Sequence, residues 1–292
     1  MLIALYNRNF EEENIAVLRH TFELLRQNHI HIAVYKDFYE RIAPHIPLAQ
    51  TPVLFTNHND LPRATDFFLS LGGDGTMLDA VCFVADSGIP VIGVNLGRLG
   101  FLAAIPEDEI DIAIRGLVRG SYTIDKRSLL HLSSSIPLFG SFPFALNEFT
   151  LHRKDSSSMI KIHTFLNGEF LNTYWSDGLI VSTPTGSTGY SLSCNGPLVF
   201  PQASSFVITP VAPHNLNIRS LVVPDDSVIS FEIEGRTPHF LCTLDSRVES
   251  ITSDVQLAVQ KERFYFSLVR LDEHNFLKTI RQKLFWGIDS RN

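Results

Sequence analysis

The chain has 292 residues, 45% of them hydrophobic, which argues against a disordered chain and suffices for one large core or two moderate ones, two domains being the preferred reading. A formal net charge of -7 excludes a protein whose main task is gripping nucleic acid, because that affinity comes largely from neutralised phosphates; any anionic ligand must be met locally. Cys82, Cys194 and Cys242 are spaced for neither a zinc site nor a disulfide framework, the opening run 1–6 is too short for a signal peptide and meets Asn7-Arg8-Asn9, and no later run spans a bilayer, so a cytoplasmic protein with reduced thiols and no membrane partner is expected.

The first third alternates strand-like and helix-like segments. A short apolar run over 2–6 precedes an amphipathic stretch over 11–28, in which Ile15, Leu18, Phe22 and Leu25 recur at helical spacing. Runs over 30–35, 67–71 and 91–94 then predict parallel strands linked by helical crossovers. From about Tyr122 the pattern changes to strand-length segments: 129–134, 142–151, 160–166 and 169–174, the last two joined by the hairpin signal Asn167-Gly168. Further strands are expected over 205–211, 228–234, 239–244 and 264–268. Phe276, Leu277, Ile280 and Leu284 then share one face of a terminal helix, expected to return to the first domain.

Strand 67–71 runs directly into Gly72-Gly73-Asp74-Gly75-Thr76, and a helix is expected from Met77 to Ala85. Three glycines in four positions let a ligand approach the backbone, and the free N–H groups of a helix start attract phosphate. An acid at the heart of such a cradle repels the ligand unless it binds magnesium or takes a proton, so Asp74 reads as a chemical residue; a tight turn with Asp74 as a helix cap is the plainer alternative. Neither a Walker loop nor the dinucleotide glycine fingerprint occurs. The turn resembles that of NAD kinases, of diacylglycerol and sphingosine kinases and, more loosely, of phosphofructokinases.

After the apolar run 179–182 comes Thr183-Pro184-Thr185-Gly186-Ser187-Thr188-Gly189-Tyr190-Ser191-Leu192-Ser193. Hydroxyls and backbone donors in this density suit a ribose, a phosphate or an amide, and Tyr190 offers a ring to stack on a base; a polar loop with capping residues is the alternative. This run, Asn147-Glu148 and the segment 93–102 together resemble the NAD kinase family, bacterial type, over roughly residues 70–195. The lipid kinases share the aspartate turn but not the hydroxyl run, and an NAD or NADP sensor that has lost turnover is a third reading, against which intact Asp74 speaks.

The resemblance implies an α/β first domain (1–122) carrying the glycine turn, a β-rich dinucleotide-binding domain (123–270), a terminal helix (271–292) on the first domain, and a dinucleotide in the cleft between the two domains. It implies that Asp74 takes the proton of the adenosine ribose 2′-hydroxyl as that oxygen attacks the γ-phosphoryl group of ATP, with Gly72, Gly73, Gly75 and Thr76 shaping the turn. It assigns Asn147 and Glu148 to hydrogen bonds with NAD, Asp177 to the nicotinamide end, Thr188, Gly189, Tyr190, Ser191, Leu192 and Ser193 to the dinucleotide site, and Phe101 to an apolar wall. Arg247 is expected either to contact a phosphate of the dinucleotide or to cap a strand turn. Where many bacterial members place a basic residue before Ser176-Asp177-Gly178, this chain has Tyr174-Trp175, so stacking takes the place of charge there. A cation for the pyrophosphate is expected from Arg153 or Lys154 in the turn 153–158, and the role of Ser158 stays open. The eleven histidines form no metal-ligand spacing, so magnesium or another divalent cation is expected to enter with ATP. The family also implies a homo-oligomer, a dimer or tetramer.

Overall fold

The computed structural model describes residues 1–48, 51–154, 158–271 and 276–286; Asp155, Ser156 and Ser157 of the turn after Lys154, and parts of the terminal segment, lie outside the described residues. The chain divides into one unit of Met1–Lys126 with Phe266–Asn292 and a second of Arg127–Tyr265.

The first unit is α/β. Its strands lie in the spatial order Val53–Phe55, His31–Tyr35, Leu2–Tyr6, Phe67–Leu71, Val91–Asn95, Phe266–Arg270 and Thr123–Arg127, with Ile105–Pro106 beside Val91–Asn95. From Val53–Phe55 through to Phe266–Arg270 the pairing is parallel, with Leu5 opposite Val34 and Leu69, and Leu71 opposite Val94. A parallel sheet covered on both faces needs strands apolar throughout, and every residue of Phe67–Leu71 is buried. On one face, helix Ile15–Gln27 buries Leu18, Phe22 and Leu25 at the expected spacing. On the other, Phe83 of helix Asp74–Val84 meets the rings of Tyr6, Tyr35, Phe55 and Phe68 at 4.8 to 5.8 Å between centroids.

Strand order reverses between Leu2–Tyr6 and Phe67–Leu71: the chain steps outward on one side to Val53–Phe55, then returns and steps outward on the other. Such a switch point opens a crevice beyond the carboxyl ends of the strands. Here those ends carry Asn7-Arg8, the glycine turn and the loop after Asn95.

The strand expected over 264–268 runs over Phe266–Arg270 and pairs parallel with Val91–Asn95, in the first unit's sheet. Its apolar pattern marks a strand but does not say which sheet receives it. Helix Phe276–Leu284 follows in the same unit, where Phe276 lies 6.5 Å from Phe101 and the Lys283 ammonium 5.4 Å from the Phe101 ring. Phe101 is thus held by the returning helix.

The second unit is β-rich, with two antiparallel sheets of six strands. One contains Glu148–Arg153, Gly178–Ser182, Ser205–Val211 and His239–Leu244; the other contains Ile160–Leu166, Glu169–Ser176, Ile229–Glu234 and Leu257–Lys261. Alternate residues of both build one core that includes Phe149, Ile162, Phe206, Phe231, Phe240 and Val259. The hairpin at Asn167-Gly168 has positive φ at both residues, 52° and 82°, as a tight turn between twisted strands requires. The single strand expected over 142–151 is two, Phe144–Ala145 and Glu148–Arg153, which belong to different sheets. The break comes from Asp245, whose carboxylate accepts the backbone N–H groups of Leu146, Asn147 and Glu148 at 2.8 to 3.2 Å. Among the described residues no helix is long and apolar enough to cross a membrane.

Candidate active site

In the first unit Asp74 is the first residue of helix Asp74–Val84, with Gly73 before it in extended geometry. Its carboxylate does not cap its own helix. Instead Oδ2 accepts the N–H of Phe101 at 2.8 Å, and Oδ1 accepts those of Leu102 and Ala103 at 2.9 and 3.0 Å. A carboxylate has about four lone-pair positions. Three are filled by this loop, and the fourth, on Oδ2, has no partner among the described residues.

The close approach requires glycine at 100, where a Cβ would stand 1.9 Å from Asp74 Oδ1. Gly72 is the other constrained position: its φ of +149° is one that side chains rarely adopt, and a Cβ would meet Thr76 Oγ1 at 2.4 Å. Asn95, buried at the end of its strand, shapes the loop from below by donating to the carbonyl of Arg98 at 2.7 Å and accepting the N–H of Gly97 at 2.7 Å. Gly73 and Gly75 remain exposed at the rim. Gly72 to Thr76 and Phe101 therefore form one constellation, while Asn95 and Gly100 carried no signal in the sequence beyond belonging to a glycine-rich stretch.

The second unit assembles the other predicted residues. Thr183 ties two segments together: its hydroxyl donates to Leu146 O at 2.6 Å and its N–H to Asn147 O at 2.9 Å. Gly186 lies against the same backbone, where a Cβ would come within 2.1 Å of Asn147 O. The hydroxyl run thus begins pressed onto Asn147-Glu148. Several hydroxyls are committed to the fold: Ser187 bonds Pro184 O and the backbone of Val199, Thr188 donates to Thr185 O, and Ser191 pairs with Thr209. Buried Arg127, a residue the sequence did not single out, donates to Thr185 Oγ1 at 3.1 Å.

Among the buried atoms with no hydrogen-bond partner among the described residues are Asn147 Oδ1 and Glu148 Oε2. A buried polar atom left unpaired costs about 1–3 kcal/mol, so both ask for a ligand or water. Gly189 leaves room there, since a Cβ on it would sit 3.0 Å from Glu148 Oε2. Tyr190 is 38% exposed, with its ring parallel to His152 at 5.6 Å and 18°; Leu192 is half-buried and Ser193 exposed. Burial pushes His152 down, so the imidazole under Tyr190 favours its neutral form. Asp177 is paired with Arg153 at 3.0 Å, and Gly178 admits the chain where a Cβ would meet Leu151 O at 2.4 Å. Trp175 stacks on His214 at 4.7 Å. Ser158 is half-buried.

Arg247 stands behind this constellation: its guanidinium donates to the carbonyls of Phe142 and Phe144 and packs against the Phe139 and Phe144 rings. Burial pushes the Asp245 carboxyl up from its ordinary value, and the backbone N–H groups of Leu146, Asn147 and Glu148, with Arg247 after them, oppose that shift. Asp245 is the residue that sequence reasoning passed over. Its only visible signal was an acid in a short turn between two strands, and its left-handed φ of 53° is a conformation that Asp tolerates better than most residues.

Glu148 is pushed up to about 8, by burial first and by Asp245 second, with the Tyr190 N–H opposing. An acid raised on folding contributes stability that is fully present below its ordinary value, near 4.5, and is lost as pH rises through about 8. Wild type is therefore expected to lose melting temperature relative to Glu148→Gln across that window. Melting curves taken at several pH values check this; a constant difference between the two proteins would contradict it. Among the described residues no group of three or more His, Cys, Asp or Glu side chains converges as a metal-ligand set.

The family model for the ATP-NAD kinase N-terminal domain matches residues 2–122, and that for the ATP-NAD kinase C-terminal domain matches residues 146–271. The chain is 50% identical to an NAD kinase of Cytophaga hutchinsonii over 293 residues, covering 100% of both chains. It is 44% identical to an NAD kinase of Flavobacterium psychrophilum over 294 residues, again covering 100% of both. Among solved structures, yeast NADH kinase complexed with NADH aligns with a TM-score of 0.85 at 26% identity, over 99% of this chain and 88% of the other. An NAD kinase from Archaeoglobus fulgidus in complex with ATP shares the fold, with a TM-score of 0.72 at 22% identity over 98% of each chain. With both domain models matched in order and relatives alike from end to end, the chain belongs to the NAD kinase family.

Proposed function

We propose that this chain phosphorylates NAD to NADP with ATP, and that Asp74 is the general base. The observation that carries the reading is the Asp74 carboxylate, fixed by three backbone N–H groups at the head of a glycine turn with one lone pair unused. In the reaction, the adenosine ribose 2′-hydroxyl gives its proton to that Oδ2 position, its oxygen forms a bond to the γ-phosphorus, and the bond from that phosphorus to the β,γ-bridging oxygen breaks to release ADP. Rigid support keeps the accepting lone pair in one direction without reorganisation at the moment of reaction.

The β-rich domain is taken to bind the dinucleotide through Asn147, Glu148, Asp177 and the segment from Thr188 to Ser193. Unpaired Asn147 Oδ1 and Glu148 Oε2 support this reading, as they need the partners that a base amino group and a ribose diol supply. Magnesium fits as a companion of ATP, because it prefers phosphate oxygens and keeps its waters. Bound there, it would neutralise charge on the phosphate chain, and no residue of the chain is required to cage it. A cytoplasmic location fits three dispersed cysteines outside any disulfide. A homo-oligomer is supported by the edge strands Leu221–Pro224 and Arg247–Thr252 of the second unit, which expose Val222 and Val248.

Purified protein with ATP, Mg²⁺ and NAD is expected to form NADP, read with an NADP-specific dehydrogenase. No product above background across several phosphoryl donors would overturn the reading.

A further inference from the structure

We infer that Arg8 is the cation that grips the phosphate chain of the phosphoryl donor as it crosses the Gly72–Thr76 turn. The inference rests on the kinase reading above and adds a donor-binding residue to it. The need for such a residue is electrostatic. A triphosphate carries about four negative charges, a chain of net charge -7 gives it no general attraction, and the turn itself adds the carboxylates of Asp74 and, one and a half helical turns on, Asp79. Backbone N–H groups at a helix start contribute only partial charges.

Arg8 supplies a full charge at that point. It follows strand Leu2–Tyr6 at the switch point of the sheet, where a ligand is expected. Its Nη1 would lie 3.8 Å from a Cβ placed on Gly75, one van der Waals contact above the turn. The guanidinium is held from behind: Nε lies 3.5 Å from Asp79 Oδ2, and that same oxygen accepts the Tyr6 hydroxyl at 3.0 Å. The backbone is anchored as well. Asn7 Nδ2 donates to Leu71 O at 2.7 Å, and Arg41 Nη1 donates to the Arg8 carbonyl at 3.1 Å.

With Nε turned to Asp79, the Nη edge of the fork faces the turn, and a planar fork matches two oxygens of a phosphate. The side chain is 48% exposed, which leaves that edge open to a ligand. A plain surface ion pair with Asp79 would be worth little to stability and would be indifferent to ATP. The two roles therefore separate in experiment.

The test compares wild type with Arg8→Ala, Arg8→Gln and Arg8→Lys for binding of adenylyl imidodiphosphate with Mg²⁺ and of inorganic triphosphate, alongside steady-state rates. Arg8→Ala is expected to weaken the adenylyl analogue and raise the KM for ATP by about 10-fold or more, the loss of one charge-assisted contact, with the KM for NAD within about twofold. Arg8→Lys should recover part of the loss and Arg8→Gln little of it. Loss of inorganic triphosphate binding in the same variants would show that the phosphate chain itself is recognised, and binding of the adenylyl analogue alone by wild type would show that the nucleotide is needed as well. The inference is overturned if the variants bind the analogue as wild type does, if the KM for NAD moves with that for ATP, or if wild type binds neither probe. Failure of the NAD kinase reading is seen separately, as wild type that forms no NADP while the binding comparison stays readable.

Discussion

Asp74→Asn is expected to lower turnover by about 10²–10⁴-fold, the range that a general base supplies, while the protein still binds NAD. The variant keeps the shape and removes the proton acceptor. The structure adds a second consequence. An amide offers one acceptor oxygen and one donor nitrogen where the carboxylate offers two acceptors. With its oxygen turned to Leu102 and Ala103, the amide nitrogen meets the N–H of Phe101, so a hydrogen bond becomes a donor opposed to a donor. A stability loss of about 1–3 kcal/mol should accompany the loss of turnover. Single-turnover rates, NAD binding by calorimetry and melting curves separate the two effects. Turnover equal to wild type would remove Asp74 from the role of base.

Asp245→Ala is expected to be the most damaging change in the second unit although it removes no group proposed to touch substrate. Three backbone N–H groups lose their acceptor at once, those of Leu146, Asn147 and Glu148. They lie in a partly buried turn that also receives the Thr183 hydroxyl on the Leu146 carbonyl. Each unpaired donor costs about 1–3 kcal/mol; these donors share one joint and are not additive, and a total of about 3 kcal/mol or more is expected. The KM for NAD should rise in parallel, because Asn147 and Glu148 are aimed by this joint. Asp245→Asn, which keeps one acceptor oxygen, should lie between the two. Thermal melts and NAD titrations check the series, and an alanine variant with wild-type melting and wild-type KM would contradict the account.

Much of the fold was legible because its signals are local. Helix Ile15–Gln27 shows itself by spacing, the hairpin at Asn167-Gly168 by two residues that tolerate positive φ, and the glycine turn by a strand, three glycines and a helix in succession. Phe266–Arg270 was legible as a strand but not as a member of the parallel sheet, because an apolar run is the same on either side of a domain boundary. The break at Leu146-Asn147 was hidden for a related reason. It is made by a carboxylate about 97 to 99 residues further along the chain, and nothing local in 142–151 reveals it.

By itself the sequence determined which motifs could be proposed for the site, Asp74 in its glycine turn, Asn147-Glu148 and the hydroxyl run, since these are contiguous and the groups they offer can be read directly. The tertiary structure alone decided what each group has left to give. Oδ2 of Asp74 keeps one lone pair because the backbone of residues 101–103 takes the other three. Arg247 is held by the carbonyls of Phe142 and Phe144, and Arg8, unassigned in the sequence, stands over Gly75. Hydrogen-bond capacity is finite, and partners distant in sequence determine how much of it remains for a ligand.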